Sequence, residues 1–357
     1  MTIKDKEIST MKTIFEINKE TFLNELYDNP NTKEVYYDLW MSCIKFVEEN
    51  KQKDLYNFTS DEIEGIIKTV PTTSSDRKSN VFSLINLYCE WAVSKGLINV
   101  NPCIAIDRQE IVKINHKSIK KKMMSLNEAY RLCQRLSSYG SIFQYLPIIL
   151  ARYGIQGNDL EWMRHLKWDD IDYDKKEVHI VNSDGEYQNV IKVDDRFLEM
   201  IDKAKNTVSE IVFITGKKKD VKQKEVYYED FGYVLKKLST AELDTPYNTE
   251  VSIYSGLTKI CNQANEERPT FNNLIKSKKI DMLLDVRAHR KLTNNDIYDV
   301  VMTLNPNMSR GGYMSLKRNY ESLTREKVYK ANTPLEELYD ENAEEFANKM
   351  RKEIFGE

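Results

Sequence analysis

Residues 144–174, QYLPIILARYGIQGNDLEWMRHLKWDDIDYD, decide how the second half of the chain folds. Leu146 to Tyr153 is an apolar helical run that stops at Gly154, where a positive φ costs little. Asn158 or Asp159 is placed to satisfy the open amides of a second, shorter helix. That helix sends Leu160, Trp162, Met163 and Leu166 toward a core. Trp168-Asp169-Asp170-Ile171-Asp172 then turns the chain into a strand over 177–182. The stretch reads as a helix–turn–helix–strand corner with Gln156 at its turn.

Working outward, residues 125–330 read as one domain. Ser125 and Glu128 form a capping box for a helix through Leu136. Strand-forming residues on both sides of Asp184-Gly185 predict a β-hairpin, Glu177 to Asn182 and Asn189 to Val193. Asp194-Asp195 caps a helix over 197–204, and 211–214 is a short strand. Lys217-Lys218-Lys219, with Lys222 and Lys224, is a basic loop. Helices are expected over 228–238, 250–264, 270–280 and 294–304. Arg310-Gly311-Gly312 is a turn, and a helical pattern resumes over 313–330. The tail, 331–357, reads as one amphipathic helix capped by Thr333 with Pro334 in its first turn. Its stripe of Leu335, Leu338, Tyr339, Phe346, Met350 and Ile354 packs on its own domain, or docks on a second copy or another protein.

The first half reads as a short arm, 1–19, and a helical domain, 20–105. Val35, Leu39, Ile44, Phe46 and Val47 recur at helical spacing. Thr59 and Glu62 form a capping box. Val81, Phe82, Leu84, Ile85, Tyr88, Trp91 and Ala92 line a longer helix that stops at Gly96. Residues 106–124 lose the periodicity and gather Arg108, Lys113, His116, Lys117, Lys120, Lys121 and Lys122. They read as a basic linker.

Composition sets bounds. A chain of 357 residues with 41% hydrophobic and 31% charged residues is that of an ordinary soluble protein with two or three domains. The net charge of −3 means that any nucleic-acid affinity must come from local clusters. The five cysteines form no CxxC pair, so reduced thiols are expected, with no metal and no cofactor. The charged N-terminus lacks a signal-peptide core, and no window has the roughly 20 apolar residues of a membrane span. The expected location is the cytoplasm, in a cell type that composition does not identify.

Over about residues 20–325 the chain resembles the tyrosine recombinase (phage integrase) family. The first half is similar to its helical, SAM-like core-binding domain in Tyr36 to Phe46, in Thr59-Ser60-Asp61-Glu62-Ile63, and in the closing run from Leu87 through Gly96-Leu97-Ile98 to Asn101-Pro102. Leu166-Lys167-Trp168-Asp169-Asp170-Ile171-Asp172 is similar to the L-x-W-x-D-I-D of the catalytic domain. The resemblance implies a mainly α fold with a small β-hairpin or sheet: a core-binding domain plus an α+β catalytic-type domain, closing as a C-shaped clamp on DNA.

The departures concern chemistry. Where an active member reads T-G-L-R-x-x-E-L, this chain reads Tyr153-Gly154-Ile155-Gln156-Gly157-Asn158-Asp159-Leu160. An amide at Gln156 cannot supply the bidentate cation of arginine. The hairpin lysine is replaced by Asn182-Ser183-Asp184-Gly185-Glu186. The H-x-L-R box falls on Asn272 to Ile275 and lacks both histidine and arginine. The L-G-H box falls on Leu304-Asn305-Pro306. Tyr313, or else Tyr320, stands in the nucleophile's place. Phosphoryl transfer is mainly positioning and charge stabilisation, so a tyrosine without its cations is expected to be inert. No catalytic residue and no enzyme activity are expected.

The resemblance narrows to lysogeny-maintaining repressors of temperate SPβ-like phages. It implies a sequence-specific, double-stranded-DNA-binding transcriptional repressor that blocks lytic promoters in the cytoplasm of a bacterial host. The tail helix would serve self-association or an anti-repressor. The alternative is an active or accessory recombinase using Tyr313, with Arg287, His289 and Arg290 as a rearranged cationic cluster. Expected DNA contacts in the first half are Thr32, Lys33, Tyr36, Thr73, Ser74, Arg77, Lys78 and Asn80. Lys117, Lys120, Lys121 and Lys122 follow in the linker. The second domain adds Arg152, Lys217, Lys219, Lys276, Lys278, Arg287, Arg290 and Arg310.

Overall fold

A computed structural model describes residues 14–70, 72, 75–111, 119–215, 221–239, 245–304 and 310–356. The chain forms two compact units, Met1–Ser118 and Ile119–Glu357.

The first unit is helical. Its described helices are α1 (Ile14–Leu26), α2 (Pro30–Cys43), α3 (Lys45–Lys51), α4 (Ser60–Thr69), α5 (Ser75–Ser94) and the single turn α6 (Arg108–Ile111). Helix α2 starts at Pro30 because Asn29 caps it, accepting from the Asn31 amide at 2.9 Å. Gln52 stops α3 in the left-handed region, φ 51°. The Thr59/Glu62 capping box opens α4 in both directions. Ile44, Ile63, Ile67, Val81, Ile85 and Cys89 form the buried centre. Residues 14–19, expected in the arm, belong to α1, whose Phe22 and Leu23 are buried in the same core.

The buried Lys19 explains how α1 is fixed. Its ammonium donates to Glu48 at 2.7 Å and to Asp54 at 2.6 Å, and it lies 3.8 Å from the centre of the Tyr88 ring. Glu48 also accepts from the Trp40 indole and the Leu55 amide, and Asp54 from Tyr88 and Asn18. Burial raises the Glu48 carboxyl's pKa even with Lys19 beside it. A buried ion pair is tolerable only when its remaining oxygens are bonded in this way.

The second unit is built around α8 (Ile142–Tyr153). Eleven of its residues are buried, all but Gln144. A helix apolar on all sides belongs at the centre of a domain. It packs against α7 (Leu126–Leu136), α10 (Asp195–Asn206), α11 (Glu250–Ala264) and α12 (Phe271–Arg287). The corner after α8 holds the short α9 (Glu161–His165) and then β1 (Ile171–Asp172). β1, β2 (Glu177–Val181) and β3 (Tyr187–Lys192) form an antiparallel sheet in that order. Val178 pairs with Ile191, and Gly185 makes the turn at φ 83°. The fold is thus mainly helical with small antiparallel sheets.

Several expectations are corrected. Neither Asn158 nor Asp159 caps α9; the Trp162 amide instead donates to the Gln156 carbonyl at 3.1 Å, with Asp159 and Leu160 at φ 47° and 60°. The helix expected over 228–238 is absent. β4 (Ser209–Thr215), β5 (Val221–Glu229) and β6 (Lys237–Leu238) form a second antiparallel sheet there. The reason is a period of two: Val226 faces inward, Tyr227 outward, and the half-buried Tyr228 packs its ring 4.5 Å from Phe143. Lys222 and Lys224 therefore lie in β5 rather than in a loop.

Helix α12 runs past residue 280 to Arg287. α13 (Asn294–Leu304) follows. α14 (Arg310–Thr324) takes in the expected 310–312 turn, and it stops before 330 because Arg325 adopts φ 60°. The tail is two helices, α15 (Leu335–Leu338) and α16 (Ala343–Phe355). Tyr339 is extended between them, and Asp340 is drawn to Arg287. Helix α16 packs on α12 of its own unit, burying Ala347, Met350, Ile354 and Phe355. Among the described residues no helix is long and apolar enough to cross a membrane.

Candidate functional site

Four parts of the second unit converge on the turn after α8. Gly154 adopts φ 102°, and a Cβ built there would lie 2.6 Å from Leu304 Cδ2, so the turn is seated against the end of α13. Asn189 in β3 donates to the Thr303 carbonyl at 2.7 Å, fixing the hairpin to that same end. The Ser183 amide at the hairpin tip donates to Glu161 at 2.9 Å, tying the tip to α9. The Tyr254 and Phe271 rings, 5.1 Å apart, hold α11 against the start of α12, and burial, then the charge of Glu250 and lastly that of Asp159 raise the Tyr254 phenol's pKa.

The family resemblance expects the phosphate-handling groups around this turn; Gln156 and the Asn182 to Glu186 tip are neutral or acidic, while Arg164 and His165 lie close enough to help lower the Glu161 carboxyl's pKa. Gln156 is half-buried, and its Oε1 is buried without a hydrogen-bond partner. At the tip, Asn182 accepts from the amides of Asp184 and Glu186 at 3.1 and 2.8 Å, which shapes the turn without any cation. Glu161 is held below the usual carboxylate range, first by the Ser183 amide. Asn272 is exposed and Ile275 half-buried on α12. Asn305 and Pro306 lie outside the described residues. Among the described residues no group of three His, Cys, Asp or Glu is placed to hold a metal.

In the rearranged cluster expected beside Tyr313, two of the three cationic candidates are held by carboxylates. Tyr313 is half-buried on α14, and burial raises its phenol's pKa. Arg287 is 2% exposed; it bonds Glu326 at 2.8 Å and Asp340, with its guanidinium 4.3 Å from the centre of Phe346. Arg290 is chelated by Asp296 at 2.9 and 2.6 Å, and Asp296 also takes the Thr293 amide and hydroxyl. Only His289 of the three is exposed. Tyr320 is fully buried and donates to Glu326 at 2.9 Å.

The expected DNA contacts fall into groups. Arg152 and Arg287 are both buried in ion pairs. Arg152 donates to the Met124 carbonyl and to Asp281, at 2.9 and 2.8 Å. Lys78 is buried, and its ammonium donates to the Lys68 carbonyl at 3.4 Å. Arg290 is occupied by Asp296. In the first unit, Arg77 and Asn80 line an open groove of about 890 Å³ between α2 and α5, with Asp38 and Ser42. Tyr36 stacks on Tyr27, 4.9 Å between ring centres, and Lys33 donates to Asn24; Thr32 is half-buried beside them.

In the second unit Lys120, Lys121 and Lys122 are exposed in one turn, and Lys276 and Lys278 are half-buried on α12. Thr73, Ser74, Lys117, Lys217 and Lys219 lie outside the described residues, as does the side chain of Arg310. The sequence reading passed over Lys279. Its spacing of three from Lys276 puts the two on one helical face, whereas Lys278 looks elsewhere.

Comparison with known proteins agrees with this architecture. A family model described as "MrpR, C-terminal catalytic domain" matches residues 142–330, and "MrpR, N-terminal core-binding domain" matches 14–94. Among solved structures, a lambda integrase dimer bound to a COC' core site is 13% identical, covering 91% of this chain and 83% of its own, with a TM-score of 0.43. XerA recombinase is 12% identical, covering 86% and 93%, with a TM-score of 0.36. The Tn1549 transposon integrase in complex with circular intermediate DNA is 12% identical, covering 86% and 91%, with a TM-score of 0.36. No curated protein sequence matches the chain. The fold is integrase-like, with a core-binding and a catalytic-type domain, and since the first model alone spans more than half of the 357 residues, the chain belongs to the MrpR family.

Proposed function

We propose that the chain is a non-catalytic, sequence-specific DNA-binding repressor that maintains lysogeny by occupying operators of lytic genes, like the master repressor of SPβ-like (arbitrium) Bacillus phages. One observation supports the non-catalytic part: Gln156 and the Asn182 to Glu186 tip, which the Ser183 amide ties to Glu161 of α9, supply no cation, and Asn272 stands where the resemblance expects a histidine. Removing a single oxyanion-type donor costs on the order of 10²–10³ in rate, and several are replaced here. DNA binding is supported by the integrase-like pair of domains and by the exposed lysine turn at 120–122.

The test is selection of bound fragments from host and phage genomes with purified protein at two salt concentrations, because purely electrostatic binding falls steeply with salt. Enrichment of a recurrent site that survives the higher salt supports an operator-specific repressor. A footprint without preference refutes it. The competing reading, a recombinase using Tyr313, requires a covalent tyrosyl–DNA adduct on a suicide substrate that Tyr313→Phe abolishes. None is expected, and Gln156→Arg is expected to form none either, since the other cationic groups are missing too.

A further inference from the structure

We propose that Lys122 and Lys276, backed by Lys279, form a seat for a phosphate group. For a duplex backbone as the phosphate's source this rests on the DNA-binding reading; the chemistry of the seat does not.

The seat is built rather than incidental. The turn carrying Lys122 is pinned by the buried Ile119 and Met123. It is closed by the Lys122 amide on the Ile119 carbonyl at 3.1 Å and the Met123 amide on the Lys120 carbonyl at 2.9 Å. The next residue is stitched to α12: the Met124 amide donates to Ser277 Oγ at 3.0 Å, and that hydroxyl lies 3.7 Å from Met123 Sδ. Arg152 grips the Met124 carbonyl from α8. Lys122 is thereby fixed two residues from a bond whose other end is the immediate neighbour of Lys276. Lys276 and Lys279, three apart on α12, add their ammonium groups to the same face.

The electrostatics match. Burial and then Lys122 lower the Lys276 pKa, and among the described residues no carboxylate forms an ion pair with it. Lys279 is 5% exposed and pushed down to about 8, first by burial and then by Lys276. Lys276 contrasts with Lys19, which has Glu48 and Asp54, with Arg152, which has Asp281, and with Arg287, which has Glu326 and Asp340. Like charges gathered and desolvated cost stability, and folds keep such conflicts where function needs them. A phosphate supplies several acceptor oxygens and negative charge to converging ammonium groups, a role lysine fills as a point charge.

The experiment compares full-length wild type, Lys276→Gln and Lys276→Arg with two probes, a duplex DNA and inorganic phosphate. With duplex, Lys276→Gln is expected to flatten the slope of log affinity against log salt by about 0.9, one phosphate contact, while Lys276→Arg keeps it. With phosphate, an upward shift of the thermal midpoint relative to chloride at equal ionic strength is expected in wild type and Lys276→Arg but not in Lys276→Gln. In the absence of either probe, Lys276→Gln should melt no lower than wild type, which a merely structural lysine would not allow. A wild type that ignores duplex while the phosphate shift vanishes in Lys276→Gln supports the seat and refutes the DNA reading. An unchanged slope together with an unchanged phosphate shift refutes the seat and leaves the DNA reading standing. No response to either probe, or a loss accompanied by a melting point several degrees lower, also overturns the seat.

Discussion

Replacing Arg287 with alanine should destabilise the second unit more than any surface change. The side chain joins α12 to the segment after α14 through Glu326 and to the tail through Asp340, and it packs on Phe346 of α16. Removing one partner of a buried ion pair costs about 3–5 kcal/mol because the other charge is stranded. Here the stranded carboxylates keep 18% and 19% of their side-chain exposure and can partly rehydrate, which favours the lower end. The lost cation–π contact adds about 1 kcal/mol. A total of about 4 kcal/mol corresponds to a fall of roughly 10 °C for a unit of this size. Scanning calorimetry of the full chain is the assay, with the first unit's transition as internal reference, since the two units need not melt together.

The triple change Arg287→Met, Glu326→Gln, Asp340→Asn should recover most of the loss, because a buried pair replaced by neutral groups is often close to neutral. The sign with pH is also set. Desolvation opposes ionisation of Asp340, but Arg287 and the Asn342 amide outweigh it and hold the carboxyl below its usual range. Its contribution is therefore present above the unfolded value of about 3.9 and lost as pH falls through the folded one. Arg287→Ala should remove that part of the acid sensitivity. A shift under about 3 °C, or an equal shift of both transitions, would refute the reasoning.

Two further predictions concern the backbone and a cap. Gly154→Ala should cost about 3 kcal/mol, from left-handed strain of about 1–2 kcal/mol plus the clash with the buried Leu304. Gly185→Ala, at φ 83° in open space, should cost only the strain, so equal urea midpoints for the two variants would sink this reading. Glu62→Ala should cost about 1 kcal/mol at neutral pH through the lost capping box. Lys53, the Thr59 amide and Lys51 hold the Glu62 carboxyl down to about 2, so its stabilisation is present above about 4.3 and fades as pH falls toward 2. The urea gap between wild type and variant should narrow over that window; a constant gap counts against it.

What the sequence carried was local and short-range. The Thr59/Glu62 and Ser125/Glu128 boxes, the stop at Gly154 and the turn at Gly185 each depend on a few neighbouring residues, and each appears where those residues put it. Residues 228–238 misled because Tyr228, Val234 and Leu235 sit at spacings compatible with a helix, while Tyr228 packs on the distant Phe143 and pairs across the sheet with Leu238. The arginines were opaque for the same reason. Nothing near Arg152 or Arg287 in sequence announces Asp281 or Asp340, 129 and 53 residues away, so a buried strut and an exposed cation look identical in a string of letters. The turn before Gln156 was legible because a glycine at the end of an apolar run marks the stop of the helix. The seat of that turn was not legible, because Gly154 packs on Leu304 and Asn189 bonds Thr303, partners more than a hundred residues away.

The Lys19 network has a dynamic consequence. A first helix held only by Phe22 and Leu23 could peel away and return cheaply, as segments near chain ends often do. With Lys19 in place, detachment strands Glu48 and Asp54 in an apolar interior without their cation. The intermediate with α1 off and the remainder folded is thus among the least populated states of the unit. Opening of α1 is coupled to opening of the whole, and its amides should exchange with solvent only as slowly as the core of α5.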